Sequence, residues 1–176
     1  MTRYVVAAIA AVAAAWPLAQ VAVAGPTPPT VPDLIAVGDG HKVFLVGHAV
    51  GVQIYTCNGV VWGPGSTPRA NLYDDNGNLV TTHFGGPSWQ ARDGSLVMAT
   101  VEERVTVDPT AIPWLRLKAK SPVAGPDGDR LVATTFIQRI ATTGGLAPAP
   151  ATCNIGTAGT VAEVPYTADY YFWKEK

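Results

Sequence analysis

The sequence predicts an all-β domain, an antiparallel β-sandwich or barrel with one disulfide. Three observations support this fold class. After Leu34 the chain consists of short runs rich in Val, Ile, Thr and aromatic residues, separated by Gly, Pro, Asn and Asp. No helical period lies between these runs, so successive strands are expected to pair antiparallel through turns. Two cysteines, Cys57 and Cys153, are available for a single bond.

The runs define eight predicted strands. They lie at 42–46, 51–57, 70–74, 79–83, 95–107, 114–120, 131–140 and 166–173. Apolar and basic residues alternate over 115–120, which predicts a strand with one buried face and one solvated face. The basic stripe on the solvated face has too few cations to indicate polyanion binding.

Two turns connect neighbouring predicted strands. Asp74 to Asn78 contains Asn76-Gly77, a pair that adopts positive-φ turn positions at low steric cost, so the flanking strands should form a hairpin. A calcium loop is the alternative, but the segment lacks the spaced ligands and closing Glu of such loops. A second turn is predicted at 126–129, between the strands at 114–120 and 131–140.

The N-terminal segment has the features of an export signal. Arg3 precedes an apolar run over 4–15 that is too short to span a bilayer, and Ala22-Val23-Ala24 provides a small-x-small cleavage site. We therefore expect residues 1–24 to be a signal peptide and the protein to be secreted, in a periplasm or outside the cell. No membrane span is expected, and no cysteine near the cleavage site is available for a lipid.

The remainder is predicted to be a Pro-rich leader over 25–33 followed by a single β domain over 34–176. The leader sequence GPTPPTVP has few backbone donors and should be extended. Twelve basic and 13 acidic residues balance closely, so neither a nucleic acid nor an anionic membrane is expected as a partner.

Cys57 and Cys153 are predicted to form a disulfide. An exported chain passes through an oxidising compartment, where a buried pair of cysteines is expected to join. A redox or metal-binding pair would require close spacing or a third soft ligand, and the sequence has neither.

Motifs for common chemistry are absent from the sequence. It has no dinucleotide turn, Walker loop, H-E-x-x-H motif or G-x-S-x-G elbow. No catalytic residue, cofactor or metal site is therefore predicted from motifs.

The segment from His83 to Trp89, HFGGPSW, is the strongest candidate for a site. Gly85, Gly86 and Pro87 should form a turn that presents the imidazole and the indole in a defined geometry, with Asp93 close by in the sequence. A small binding site is one interpretation. The favoured interpretation is structural: the indole closes one end of the fold, and the imidazole bonds to a backbone carbonyl.

The C-terminal segment from Val164 to Trp173 is unusually aromatic. As a strand, it places Tyr166, Ala168, Tyr170 and Phe172 on one face, and Thr167, Asp169, Tyr171 and Trp173 on the other. Burial on both faces is favoured over an exposed aromatic platform for a sugar or a protein. A buried Asp169 would need a partner, for which Arg139 and His83 are the candidates.

Five ordered blocks resemble a known family. GVQIYTC, HFGGPSW with ARDGS, IPWLRLKA, FIQRIATTGG and VPYTADYYFW are similar to the secreted bacterial and fungal family known as domain of unknown function 3455. The resemblance covers nearly all of the chain after the signal, and the family's paired cysteines correspond to Cys57 and Cys153. It implies no activity, because the family has none established.

Two functional hypotheses follow. The first is a non-enzymatic binding or surface protein of the envelope or extracellular space, with a carbohydrate or a protein as ligand. The second is a small secreted hydrolase or lyase acting on an extracellular polymer, with His83 as base, oriented by Asp93 or Asp169. The candidate ligand-binding residues are His83, Trp89, Asp93, Arg139, Tyr166 and Asp169.

Overall fold

Eight antiparallel strands close into a barrel in the computed structural model, which describes residues 25–63 and 65–176. Each strand pairs with the next along the chain, and the last pairs with the first. The strands are β1 (His41–Thr56), β2 (Thr67–Tyr73), β3 (Leu79–Phe84), β4 (Ser88–Ala91), β5 (Leu96–Val105), β6 (Trp114–Val123), β7 (Phe136–Gly144) and β8 (Val161–Glu175). Short 3-10 helices lie at Asp33–Ile35, Pro150–Thr152 and Ile155–Thr157. The predicted all-β fold is confirmed, whereas the predicted signal peptide lies outside the described residues.

The longest strand, β1, joins the two strands predicted at 42–46 and 51–57. Gly47 and Gly51 lie inside it because β2 approaches closely at these positions. A Cβ atom on Gly51 would lie 2.2 Å from the carbonyl oxygen of Arg69. Glycine therefore permits close strand packing here and does not end the strand.

Other strand limits also differ from the prediction, and β8, for example, begins at Val161 and not at residue 166. The four-residue strand β4 was not predicted, because a segment this short carries little periodic signal. Strand β7 begins at Phe136 and not at residue 131. The preceding residues form turns in which Thr134 Oγ1 donates to the carbonyl of Leu131 at 2.7 Å.

Both predicted turns are present. The amide of Asp74 donates to the carbonyl of Asn78 at 2.9 Å, which closes the β2–β3 hairpin. The Asp74 carboxylate accepts bonds from the amides of Asn76 and Asn78. In the second turn, the amide of Gly125 donates to the carbonyl of Gly128 at 2.8 Å.

One end of the barrel is closed by the β6–β7 connection. Leu131 is fully buried in the core, and its amide donates to Ser95 Oγ at 3.2 Å. The Asp93 carboxylate accepts bonds from the Ser95 amide at 2.9 Å and from the Arg130 amide at 2.9 Å. Asp93 thus ties the β4–β5 turn to the β6–β7 connection at this end.

The predicted disulfide lies at the opposite end. Cys57 and Cys153 are bonded, with a Cα–Cα distance of 5.4 Å. Cys57 directly follows β1, and Cys153 lies in the connection between β7 and β8. The bond therefore fixes that connection to the end of β1.

The segment before β1 packs against the outside of the barrel. Residues 25–32 have no regular secondary structure, and the following Ile35 is fully buried. Its carbonyl accepts a bond from Gln138 Nε2 at 2.7 Å, and Gln138 Oε1 accepts one from Trp173 Nε1 at 2.9 Å. Trp173 is thus covered from outside the barrel.

The predicted facing of the C-terminal strand is confirmed, but the favoured burial on both faces is wrong, because on the outer face of 166–173 only Trp173 is buried. Its inward residues Tyr166, Ala168, Tyr170 and Phe172 are all buried in the barrel core.

Among the described residues, no helix has the length and apolar character needed to span a bilayer.

Candidate functional site

The open end of the barrel contains a pocket with a volume of about 390 Å³. It lies where β1, β3, β5 and β7 end and where the other strands begin. Its apolar lining residues include Val101, Ile112, Pro113, Leu115, Leu117 and Leu146. Its polar lining residues are Gln53, Tyr55, Ser66, Thr67, His83, Trp89, Arg104, Arg139 and Tyr170. Barrel mouths of this kind are common sites for small ligands.

His83 and Trp89 form a stacked pair beside the pocket. They are directly opposed across β3 and β4, because the tight turn with Gly86 at φ +112° joins these strands. Their ring centroids lie 4.2 Å apart, with an angle of 4° between the planes. Trp89 also contacts Tyr170 and Phe172 edge to face. The sequence-predicted turn therefore does present the two rings in a fixed geometry.

His83 is held neutral by its surroundings. Nδ1 lies 2.9 Å from the carbonyl of Ser88, and since a carbonyl only accepts, this nitrogen carries the proton. Burial is the main cause that lowers the pKa of His83 to about 4, and the Arg139 charge lowers it further, against the opposing effect of the Ser88 bond. A base with so low a pKa accepts protons poorly at neutral pH.

The low pKa of His83 predicts a pH dependence of stability. Between pH 6.5 and about 4 the unfolded chain binds a proton at His83 and the folded chain does not. Acidification across this window should therefore lower the free energy of unfolding, by about 3 kcal/mol from this residue. Urea unfolding over the window should show a steeper loss for the wild type than for His83→Asn, whose side chain does not titrate. Equal losses in the two proteins would contradict the assignment.

Arg139 contributes positive charge to the pocket. Its Nε and one terminal nitrogen donate to the carbonyl of Pro113 at 3.2 and 2.8 Å. Within the described residues, no carboxylate lies within ion-pair distance of this guanidinium or of Arg104. Burial raises the pKa of Tyr170, and the Arg139 charge opposes that rise.

Two buried donors beside the pocket lack acceptors. Gln53 Nε2 and Trp89 Nε1 have no hydrogen-bond partner, although the two residues are 2% and 0% exposed. Gln53 Oε1 is occupied, since it accepts a bond from Ser66 Oγ. Buried donors without acceptors are uncommon, because each loses its hydration without replacement.

Three of the six predicted site residues line the pocket, namely His83, Trp89 and Arg139. Tyr166 is buried in the core and does not line the pocket, but its hydroxyl lies 3.3 Å from that of Tyr170, which does. The other two candidates, Asp93 and Asp169, lie elsewhere. Asp93 is in the turn between β4 and β5, at the closed end of the barrel.

Asp169 lies on the outer face of β8, because its position in the strand has the opposite parity to the inward Tyr170. It binds His48 Nδ1 at 2.6 Å, while His48 Nε2 lies 2.9 Å from Asp75. The Asp169 hydrogen bond is the main cause that raises the pKa of His48. The expected pairing of Asp169 with Arg139 or His83 is therefore wrong.

Neither Asp93 nor Asp169 orients His83, whose bonded partner is a backbone carbonyl. The arrangement of base and carboxylate on which the hydrolase or lyase hypothesis depended is thus not formed. In the part of the chain that the structure describes, no group of three His, Cys, Asp or Glu residues is arranged to hold a metal ion.

Sequence reasoning missed several residues of the pocket, chiefly Gln53, Tyr55, Arg104 and Tyr170. One of them, Gln53, could have been recognised from the sequence pattern of its strand. Gln53 is a polar residue two positions from Tyr55 on the inward face of β1, where an apolar residue is the norm. Arg104 had no comparable signal, because charged residues are ordinary near the end of a strand.

Comparison with known proteins assigns the chain to a family. The model described as "Protein of unknown function (DUF3455)" matches residues 38–174. The chain therefore belongs to this family, as its sequence blocks suggested. No curated protein matches the chain, and no solved structure does.

Proposed function

We propose that this member of the DUF3455 family is an exported, non-enzymatic binding protein that holds a small organic molecule in the open end of its barrel. The observation that carries the proposal is the pocket of about 390 Å³, which has an apolar lining and fixed polar groups. Its volume falls within the range of about 300–1,000 Å³ that is typical of ligand pockets.

The wall of the pocket is preorganised. Trp89 is fully buried and held by His83, Tyr170 and Phe172, so the lining keeps its shape without a ligand. A preformed pocket spares a ligand the entropic cost of ordering its site.

Export is part of the proposal. The N-terminal 24 residues have the composition of a cleavable signal, and the Cys57–Cys153 bond is of the kind that persists in oxidising compartments. Both features support a periplasmic or extracellular location.

A small molecule is favoured over a sugar or protein that binds an aromatic surface. The aromatic residues Tyr166, Tyr170, Phe172 and Trp173 are buried, so β8 does not display them as a platform. Trp89 is likewise covered, and its stacked face is occupied by His83.

Thermal-shift measurements with a pocket-filling variant test the proposal. The panel contains small organic acids, their neutral analogues and oligosaccharides, and Val101→Trp places an indole in the pocket. Val50→Trp is the matched control, because Val50 is 61% exposed on β1. At least one small-molecule class should raise the Tm of the wild type and of Val50→Trp by several degrees, but not that of Val101→Trp.

Two results would count against the proposal. One is a panel in which no small molecule raises the Tm of the wild type. The other is a compound that stabilises Val101→Trp as much as Val50→Trp, since it would bind outside the pocket. Stabilisation by oligosaccharides alone would instead support the carbohydrate partner.

A further inference from the structure

The charged side chains that line the pocket are all positive. Arg104 and Arg139 line it, and none of its described lining residues is Asp or Glu. His83 adds no charge near neutral pH, because burial holds its pKa at about 4. Arg104 is exposed and its charge is screened by water, so the half-buried Arg139 is the cation whose charge acts most strongly on the cavity.

Arg139 is placed to receive an anion. It projects from β7 opposite the inward Tyr170 of β8, and it is half-buried. Two of its nitrogens donate to a neutral acceptor, the carbonyl of Pro113. The Tyr170 hydroxyl, also neutral, lies beside the guanidinium, and no carboxylate of the described residues lies within ion-pair distance of it. A partly desolvated cation without a counter-charge is unfavourable, and a bound anion would relieve that cost.

The remaining polar atoms of the pocket wall also favour a ligand that supplies hydrogen-bond acceptors. Trp89 Nε1, a buried atom of the pocket wall, is a donor without a partner. His83 Nδ1 and Gln53 Oε1 already have partners. A ligand that supplied acceptor atoms would therefore complement the pocket better than one that supplied donors.

The aliphatic part of the lining favours a ligand with an apolar body. Ile112, Leu115 and Leu117 are buried residues of the wall, and Val101 packs against the same core. A fully polar anion such as inorganic phosphate would leave this surface unused. An apolar group in contact with it would gain about 25 cal/mol for each Å² removed from water.

We infer that the ligand is a small organic carboxylate, with its carboxylate on Arg139 and its apolar body against the aliphatic wall. This inference rests on the proposed function and names the ligand class of the same pocket. A carboxylate is favoured because its two oxygens match the planar fork of a guanidinium.

Calorimetric titration of the oxidised protein with matched probes tests the inference. Phenylacetate is compared with phenylacetamide, and hexanoate with hexanamide, so that each pair shares its apolar body and differs in charge and in hydrogen-bonding groups. In at least one pair the acid should bind about tenfold or more tightly than the amide, which corresponds to a charge-assisted bond of about 1.4 kcal/mol or more. Added salt should weaken binding of the acid and leave that of the amide unchanged.

Arg139→Gln should abolish the preference for the acid while the amide still binds. Arg69→Gln is the matched control, because Arg69 lies on the outer face of β2 and pairs with Glu163 at 2.6 Å. It should keep the full preference. If Arg139→Gln does not fold, the acid–amide comparison and its salt dependence in the wild type still decide the question.

The outcomes separate the inference from the proposed function. If acid and amide bind equally in both pairs, the carboxylate assignment is wrong while the pocket remains a binding site. If the acids are preferred equally by Arg139→Gln and Arg69→Gln, Arg139 is not the carboxylate's partner. If none of the four probes binds, the carboxylate assignment is overturned, and the thermal-shift panel decides separately whether the pocket binds another class of small molecule.

Discussion

Removal of the Cys57–Cys153 bond is expected to lower the free energy of unfolding by about 4–5 kcal/mol. The two cysteines are 96 positions apart, so the bond closes a long loop and removes much conformational freedom from the unfolded chain. Natural domains have a net stability of only about 5–15 kcal/mol, so this is a large share. Urea unfolding of a Cys57→Ala/Cys153→Ala variant would measure the loss.

Alanine suits this comparison because Cys57 and Cys153 are 1% and 4% exposed, and hydroxyl groups there would add a burial penalty. The wild type unfolded under reducing conditions is the control and should lose a similar amount. A double variant that stays within about 1 kcal/mol of the oxidised wild type would contradict the prediction.

The Trp89→Ala substitution is expected to cost about 3–5 kcal/mol of folding stability. Trp89 is the largest fully buried side chain among the described residues, and it contacts His83, Tyr170 and Phe172. Its removal would leave a cavity joined to the existing pocket and would take from His83 the ring against which it stacks. Chemical denaturation with the disulfide intact measures the loss, since the remaining indoles still report unfolding.

Trp62→Ala provides the comparison for this prediction. Trp62 is half-buried near the disulfide, and its main polar contact is a 2.9 Å bond from Nε1 to Thr152 Oγ1. Loss of one such exposed contact should cost about 1 kcal/mol. If Trp89→Ala were no more destabilising than Trp62→Ala, Trp89 would not organise the barrel core.

The sequence predicted the fold class well because strand alternation is a local property. The inward face of β8 and the turn after Asp74 both follow from residue spacing and turn chemistry. The residues at which strands begin and end were harder to predict. Gly51 resembles a break in the sequence, and only the nearby backbone of Arg69 explains why glycine is needed inside the strand.

The candidate site was only partly predictable, because some of its residues are neighbours in the sequence and others meet only in the closed barrel. His83 and Trp89 meet because a short turn pairs them, which the sequence indicates directly. Arg139 joins them across the barrel, and Asp93 is carried to the opposite end by the short strand β4. Placing those residues requires the order of the strands and the closure of the barrel, neither of which is encoded in any one segment.

The outward position of Asp169 also has a functional consequence. Its pairing with His48 leaves the described lining of the pocket without a carboxylate, which makes the positive charge of Arg139 available to a ligand. The preference for an anion proposed for the pocket thus depends on which residues of β8 face outward as much as on Arg139 itself.

Two-dimensional NMR of the indole N–H signals, during titration with phenylacetate, tests the central claim most directly. Trp89 lines the pocket and its Nε1 is unpaired, whereas Trp173 Nε1 is bonded to Gln138 on the outer side of the barrel. We predict a saturable shift of the Trp89 signal with that of Trp173 unchanged. A Trp89 signal that stays fixed while calorimetry shows an acid probe to be bound would contradict the assignment of the barrel mouth as the binding site.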